Sequence, residues 1–409
     1  MKKFSKHNFQ VLYLYAATLT STLLGFATSI INTKFLTETE YGDVRYVQNL
    51  ITLLASLLLF GYFLSGSRLL ALSDSKPRSR QIRGTMLVVL IVCSILLITG
   101  TFFAGCVHID RPEVKHLFMV SLPVCFYPLL TSYINTTAQG DNHIGRLAMT
   151  RVLPALLYVP VAYVVYSNCG ATPTRMVLLQ WGLYSIVLIS IIASTNPSFK
   201  YFKSTFADLQ IENKAYGIHL YYGSLAMVAT NYLAGVTLGI FNDDNVNVGF
   251  YTLALTLTAP LSYLPGIIGT AYFKKFVNEP RIPQKVFRGT LLISVLSCIG
   301  FVIFIRLIVK YFYPEPYALV GTFASWMAIG FSVHGLGDMI NRFLGSHGDG
   351  RSIRNSSYAC GLFKITGFVV LVWLWDIEGA LVTNVVSSCI YCAVLYYYYT
   401  KRINSGQFN

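Results

Sequence analysis

The sequence predicts an all-α integral membrane protein, and three observations carry that expectation. Of 409 residues, 54% are hydrophobic and only 12% are charged, against about 25% charged residues in soluble domains. Apolar stretches of spanning length recur along the whole chain, each bounded by charged or turn residues. One polar turn also occurs twice, half a chain apart: GDNHIGR (Gly140 to Arg146) and GDGRSIR (Gly348 to Arg354) share G-D-x-x-x-x-R.

The elements follow in chain order. The basic segment MKKFSKHNFQ precedes an uncharged run, Val11 to Thr33. That run is too long for a signal-peptide core and lacks a small-residue cleavage pattern, so it predicts an uncleaved first membrane helix with a cytoplasmic N-terminus. Further spans are expected at 46–67, 84–107, 114–136, 151–167, 174–194, 217–240, 246–272, 287–309, 317–341, 356–375 and 379–400. The expectation is therefore twelve transmembrane helices. Pro123, Pro128, Pro154, Pro160, Pro260 and Pro265 fall inside them and predict kinks, which a bundle tolerates where neighbours satisfy the freed backbone groups.

Charge tests this assignment, because loop charges did not define most of the spans. With the N-terminus inside, 24 of the 31 Lys and Arg residues face the cytoplasm. The outer side receives Lys34, Arg45, Arg111, Lys115, Arg175, Arg306 and Lys310. The positive-inside rule holds along the chain, with both termini cytoplasmic. The net charge of +14 thus serves topology; no stretch interleaves aromatics with a solvated basic face, so no nucleic-acid partner is expected. Cysteines 93, 106, 125, 169, 298, 360, 389 and 392 fall mostly in or beside apolar segments and read as small apolar fillers. Even the C-x-x-C of Cys389 and Cys392 lies in a lipid-depth helix. No disulfide framework, metal site or cofactor is expected.

Aligned at an offset near 207, Val11–Thr33 falls over Ile218–Ile240, Gly42 over Gly249, and the two G-D-x-x-x-x-R turns over each other. This predicts two homologous six-helix bundles, residues 1–207 and 208–409, facing the same way. The polar stretch Asn196 to Tyr216 reads as their connection.

At these residues the chain resembles a known family. KFLTETEYGDVRYVQNL and NDDNVNVGFYTLALTLTAPLSYLPGIIGTAYFKKF are similar to the polysaccharide-export (Wzx-type) branch of the multidrug/oligosaccharidyl-lipid/polysaccharide flippase superfamily. That branch carries an acidic turn, V-G-x-Y-x-L-A, and a proline-bearing helix ending in basic residues. PEPYALVGTFASWMAIGF, FLGSHGDGRSIRN and IEGALVTNVVSS match its C-terminal half. The resemblance implies two six-helix bundles around a central cavity that opens alternately to either side. It also implies an undecaprenyl-diphosphate-linked oligosaccharide as cargo and the bacterial cytoplasmic (inner) membrane as location. The role would be flipping repeat units for O-antigen or capsule-like polysaccharide, with membrane lipids and the polymerase machinery as neighbours. Related lipid II flippases carry cavity arginines in helices one and two, whereas helix one here has only Thr18, Thr20, Ser21, Thr22 and Asn32.

A lipid-linked sugar needs a cationic, wet cavity, and ionisable residues inside spans are costly enough to be candidates by default. His334, Asp338 and Arg342 lie at i, i+4 and i+8 on one helical face. His334 and Asp338 are candidates for ion coupling, unless Asp338 simply pairs with Arg342. Arg342, Lys364, Arg45 and His219 are cavity candidates for substrate binding. For each there is a plainer alternative: Lys364 could snorkel to the surface, Arg45 could pair with Asp43 or Glu40, and His219 could be a hydrogen-bonded structural histidine. Arg68 and Arg306 read as interface anchors, and Arg146 and Arg354 as topology setters that contact lipid phosphates.

Two other functions compete. A cation-coupled multidrug exporter of the same superfamily requires a buried carboxylate in the N-terminal half, whose acids all read as loop residues. A membrane enzyme of glycan polymerisation requires a large outer loop for its catalytic groups, and every outer loop is short. The chain carries no nucleotide-binding loop, which sets ATP hydrolysis aside; it is read as a transporter and not an enzyme.

Overall fold

The computed structural model describes residues 6–73 and 75–404, leaving aside the side chains of 6–12, 14, 15, 223, 224, 226–231 and 274. Lys2, Lys3 and Asp74 lie outside the described residues. The chain divides into two compact units, Met1–Leu225 and Ala226–Asn409, whereas the sequence reading placed the boundary at 207/208.

The first unit contains α1 (Lys6–Phe35), α2 (Glu38–Leu57), α3 (Tyr62–Ala71), α4 (Lys76–Val107), α5 (Pro112–Ser121), α6 (Tyr127–Gly140), α7 (Ile144–Cys169), α8 (Pro173–Ser194) and α9 (Phe202–Glu212). Caps explain several starts. Thr37 and Glu40 form a capping box on α2, satisfying two of the amides a helix leaves open at its N-terminus. Thr172 accepts from the Arg175 amide ahead of α8, with Pro173 in the first turn. A bend of 62° separates α2 from α3. It turns on Gly61, at φ 78°, where a Cβ would meet the Gly217 backbone at 2.5 Å. Both the left-handed conformation and the contact require glycine.

Helix α10 (Ile218–Phe241) follows a π-helical turn at Asn213–Gly217. The second unit continues with α11 (Val246–Thr258), α12 (Pro260–Phe276), α13 (Gln284–Phe312), α14 (Ala318–Ser346) and α15 (Gly350–Asn404). Non-helical backbone at Trp375 and Asp376 breaks α15 into two arms, where the sequence separates its last two spans. Helix α14 packs against α11, α12, α13 and α15. A core of Phe276, Met339, Ile340, Phe343, Tyr391, Leu395 and Tyr399 fills the unit at one end.

Ten of the twelve expected segments lie on essentially continuous helix, whereas 46–67 is broken at 58–61 and 114–136 at 122–126. By length and composition, seven helices among the described residues could cross a membrane, or eight with α2–α3 as one broken span. The protein is a multi-pass membrane protein of all-α class.

Two sequence expectations are corrected. The stretch Asn196–Tyr216 is not merely a connection, because α9 docks within it. Phe206 stacks between Tyr62 and Phe202, Arg78 pairs with Asp208, and Arg68 pairs with Glu212 at 2.5 Å. Arg68 is therefore a tie to α9 rather than a bare interface anchor. The N-terminal acids are also not all loop residues. Glu38, Glu40 and Asp43 belong to α2, and Asp43 is buried at 7% exposure.

Candidate functional site

In the second unit the site is built on α14 and the second arm of α15. The i, i+4 spacing places His334 and Asp338 on one face, as expected. Tyr391 of α15 meets both: its hydroxyl donates to Asp338 Oδ1 at 3.0 Å, and its ring stacks on His334 with centroids 4.5 Å apart. The close approach needs Gly337, where a Cβ would lie 2.8 Å from Tyr391 Cδ1. Asn341 donates to the same hydroxyl at 2.7 Å. An amide, a phenol and a carboxylate thus form one relay, and hydrogen bonding of this kind is what makes a carboxylate tolerable away from water.

Arg342 does not pair with Asp338. Its side chain is exposed, and among the described residues no ion pair joins the two. The Arg342 stem instead packs over Gly269 of α12, where a Cβ would lie 3.1 Å from Arg342 Cγ. The physical reason is competition: the Tyr391 hydroxyl is fixed by packing beside the carboxylate, whereas the arginine would give up water for a single bond.

Lys364, on the first arm of α15, is buried at 7% exposure. Among the described residues it has no ion pair and no hydrogen-bond partner. It lies within electrostatic reach of His334 and of Cys360, one turn away on its own helix. The snorkelling alternative does not hold. A buried ammonium without a counter-charge is costly, which makes Lys364 a candidate for an anionic ligand.

In the first unit a different cluster forms around Arg45. Its Nη1 donates to Gln48 Oε1 at 2.8 Å, and its guanidinium lies 4.8 Å from the Tyr41 ring centroid. Arg45 makes no ion pair among the described residues, so pairing with Asp43 or Glu40 is excluded; Glu40 serves the Thr37 cap. Gln48 Nε2 continues to Gln180 Oε1 at 3.2 Å. Tyr158 donates to Asn32 Oδ1 at 2.6 Å and meets the Tyr166 hydroxyl at 2.8 Å. Arg45 Nε and Asn32 Nδ2 are buried donors without a partner, the kind of group that invites a ligand.

His219 stands apart from both clusters. It is exposed in the first turn of α10 and makes no hydrogen bond among the described residues, so it is not a structural histidine. Arg146 is likewise not free for lipid phosphates, because it pairs with Asp141 at 2.7 Å. Sequence reasoning missed Tyr391, Asn341, Gln48 and Gln180. The only available signal was that polar side chains inside apolar runs seek partners.

Comparison with known proteins sets the class. Residues 10–276 match the family described as polysaccharide biosynthesis protein, and the chain belongs to that family. Its fold is that of the lipid II flippase MurJ in an inward closed conformation: 12% identity, 96% of this chain and 89% of that one, TM-score 0.75. An inward-facing multidrug resistance MATE family transporter of the MOP superfamily is similar too, at 12% identity over 94% and 95% of the two chains, TM-score 0.70. A third likeness is to a MOP superfamily transporter from Pyrococcus furiosus, at 14% identity over 96% and 95%, TM-score 0.53. No curated protein matches the sequence.

Proposed function

We propose that the chain is a flippase that carries an undecaprenyl-diphosphate-linked oligosaccharide from the cytoplasmic to the outer leaflet of a bacterial inner membrane. It works by alternating access, with both termini cytoplasmic, in the synthesis of O-antigen or capsule-like polysaccharide. Membership of the polysaccharide biosynthesis family supports the pathway class. The observation that carries the reading is Lys364, a buried cation with no counter-charge, which suits an anionic diphosphate passing through. Arg45 adds a second cationic candidate with a buried open donor, and Arg342 an exposed one. Asp338 and His334, held on one tyrosine, are the groups that would exchange protons during transport.

The test is export. In cells that depend on this chain, Lys364→Gln should reduce surface glycan about tenfold or more while leaving protein abundance in the membrane unchanged, since one lost charge-assisted contact is worth roughly 1.5–3 kcal/mol. Unchanged glycan would overturn the assignment of Lys364, and so would loss of abundance.

A second reading is favoured by one observation. Asp43 is a buried carboxylate in the N-terminal half, as a cation-coupled multidrug exporter requires. That reading expects the deletion strain to become drug-sensitive with its glycan intact, and Asp43→Asn to reproduce the effect. The flippase reading expects the reverse.

A further inference from the structure

On the first unit, α1 and α7 enclose a groove of about 310 Å³ lined by Tyr13, Ala16, Ala17, Thr20, Met149 and Leu153, among others. Ala16, Ala17 and Thr20 are small, so the two helices pack closely yet leave a trough between them. Its volume is roughly ten water-sized spaces, room for one short run of hydrocarbon. Arg151 rises from the same stretch of α7. Its guanidinium crosses to α1, donating to Thr18 Oγ1 at 2.7 Å, and it is exposed with no ion pair among the described residues. Arg146, on the preceding turns, is neutralised by Asp141; Arg151 is not. An apolar trough beside an uncompensated guanidinium is complementary to an amphiphile with a single chain and an anionic oxygen-rich head.

We infer that this groove holds the first isoprene units of a prenyl diphosphate, with Arg151 on the diphosphate. The inference rests on the flippase reading for the identity of the lipid. A glycerophospholipid would place only one of its two acyl chains in this trough. The charge reading puts Arg151 on the cytoplasmic side, where a carrier lipid made in the cytoplasm would first meet the protein. The groove would therefore be a docking site for the carrier that is separate from the Arg45 and Lys364 clusters.

The experiment uses the full chain in phosphatidylethanolamine–phosphatidylglycerol nanodiscs and a prenyl diphosphate whose second isoprene unit is replaced by a benzophenone. Irradiation followed by peptide mapping should place adducts on Tyr13, Met149 or Leu153. Undecaprenyl phosphate should compete for them, and extra phosphatidylglycerol should not. Ala16→Trp should lower the adduct yield about tenfold, the equivalent of withdrawing roughly two methylene groups from contact. Thr20→Phe should do the same; both positions are exposed, so an unchanged unfolding midpoint is expected of each. Arg151→Gln should reduce labelling to that given by the corresponding prenyl alcohol, and Arg151→Lys should restore part of it.

Adducts confined to other helices, or competition by phosphatidylglycerol as effective as by undecaprenyl phosphate, would overturn the inference in favour of an ordinary boundary lipid. Surface glycan separates this outcome from failure of the functional reading. Specific labelling in a chain that exports no glycan sinks the flippase reading alone. Normal export with no labelling in the groove sinks the groove alone.

Discussion

The turns after α6 and α14 invite comparison because they share the letters G-D-x-x-x-x-R. At the first, the Asp141 carboxylate lies between two guanidiniums, 3.0 Å from Arg83 and 2.7 Å from Arg146. At the second, Asp349 faces its own helix and accepts from the Ser352 amide at 3.2 Å and the Ser352 hydroxyl at 2.7 Å. The letters match, but the roles do not. Backbone geometry gives a different equivalence. The left-handed residue is Asn142 at one turn and Gly348 at the other, with φ 52° and 73°. Next comes a residue whose amide reaches back five positions, His143 to Ala138 and Asp349 to Leu344. The same residue caps the following helix, His143 on the Arg146 amide and Asp349 on the Ser352 amide. Asn142 thus corresponds to Gly348, an offset of 348 − 142 = 206, whereas the shared letters run from Gly140 to Gly348, an offset of 208. Both turns are the helix-ending motif in which a left-handed residue lets late carbonyls be satisfied. What recurs is that backbone motif, and the carboxylate has been put to separate uses on it.

The comparison breaks most sharply at Asp141. Removing it strands Arg83, which is buried at 9% exposure, and frees Arg146. Taking one partner from a buried pair costs about 3–5 kcal/mol. Asp141→Ala should therefore lower the unfolding midpoint severely or abolish accumulation in the membrane. Asp349→Ala should not. Equal losses at the two positions would restore the letters as the true equivalence.

The two polar clusters make a second contrast. Tyr391 serves a carboxylate, whereas Tyr158 serves an amide and another phenol. A buried group left unsatisfied costs about 1–3 kcal/mol, with charged groups at the upper end. Tyr391→Phe should destabilise by about 2 kcal/mol and impair export, and Tyr158→Phe by about 1 kcal/mol. Denaturation in detergent beside a glycan assay reads both. A larger loss from Tyr158→Phe would argue that the Asp338 site is not charged.

What was legible in the sequence follows the range of the forces involved. Spans were readable because hydrocarbon demands an unbroken apolar run, a local property. The His334–Asp338–Arg342 face was readable for the same reason, since helical period is local. Tyr391 lies 53 residues from Asp338, and no local pattern announces that contact; the one partner the sequence could offer the carboxylate was Arg342, its neighbour on the same face. Helix α9 stayed hidden because its anchors, Tyr62, Arg68 and Arg78, lie far upstream. Lys364 stood out as a cation within an apolar run, but its burial depended on how α15 packs.

Asp349→Ala removes a helix cap and should cost about 1 kcal/mol. His143→Ala should cost about half that, since His143 is exposed and its cap bond is long, at 3.3 Å. A matching sign at these two positions, against the disparity between Asp141 and Asp349, would favour the offset read from the backbone.

The smallest effect tests that offset most directly. If Asn142 and Gly348 occupy equivalent left-handed positions, exchanging their residue types should give changes of opposite sign and similar size. Asn142→Gly relieves the Cβ penalty of a left-handed residue and should stabilise by about 0.5 kcal/mol; Gly348→Asn should destabilise by about the same. The second position is a clean one, because a Cβ on Gly348 would meet nothing within 4 Å. Any loss there reports backbone conformation and not a clash. Gly348→Ala supplies the scale: alanine has no side chain to hydrogen-bond locally, so it should lose about 1 kcal/mol, more than asparagine does. Thermal unfolding of the four proteins in one detergent resolves differences of this size. If Asn142→Gly proves as harmful as Gly348→Ala, the Asn142 side chain makes a contact of its own, and the two turns share less than their backbones suggest.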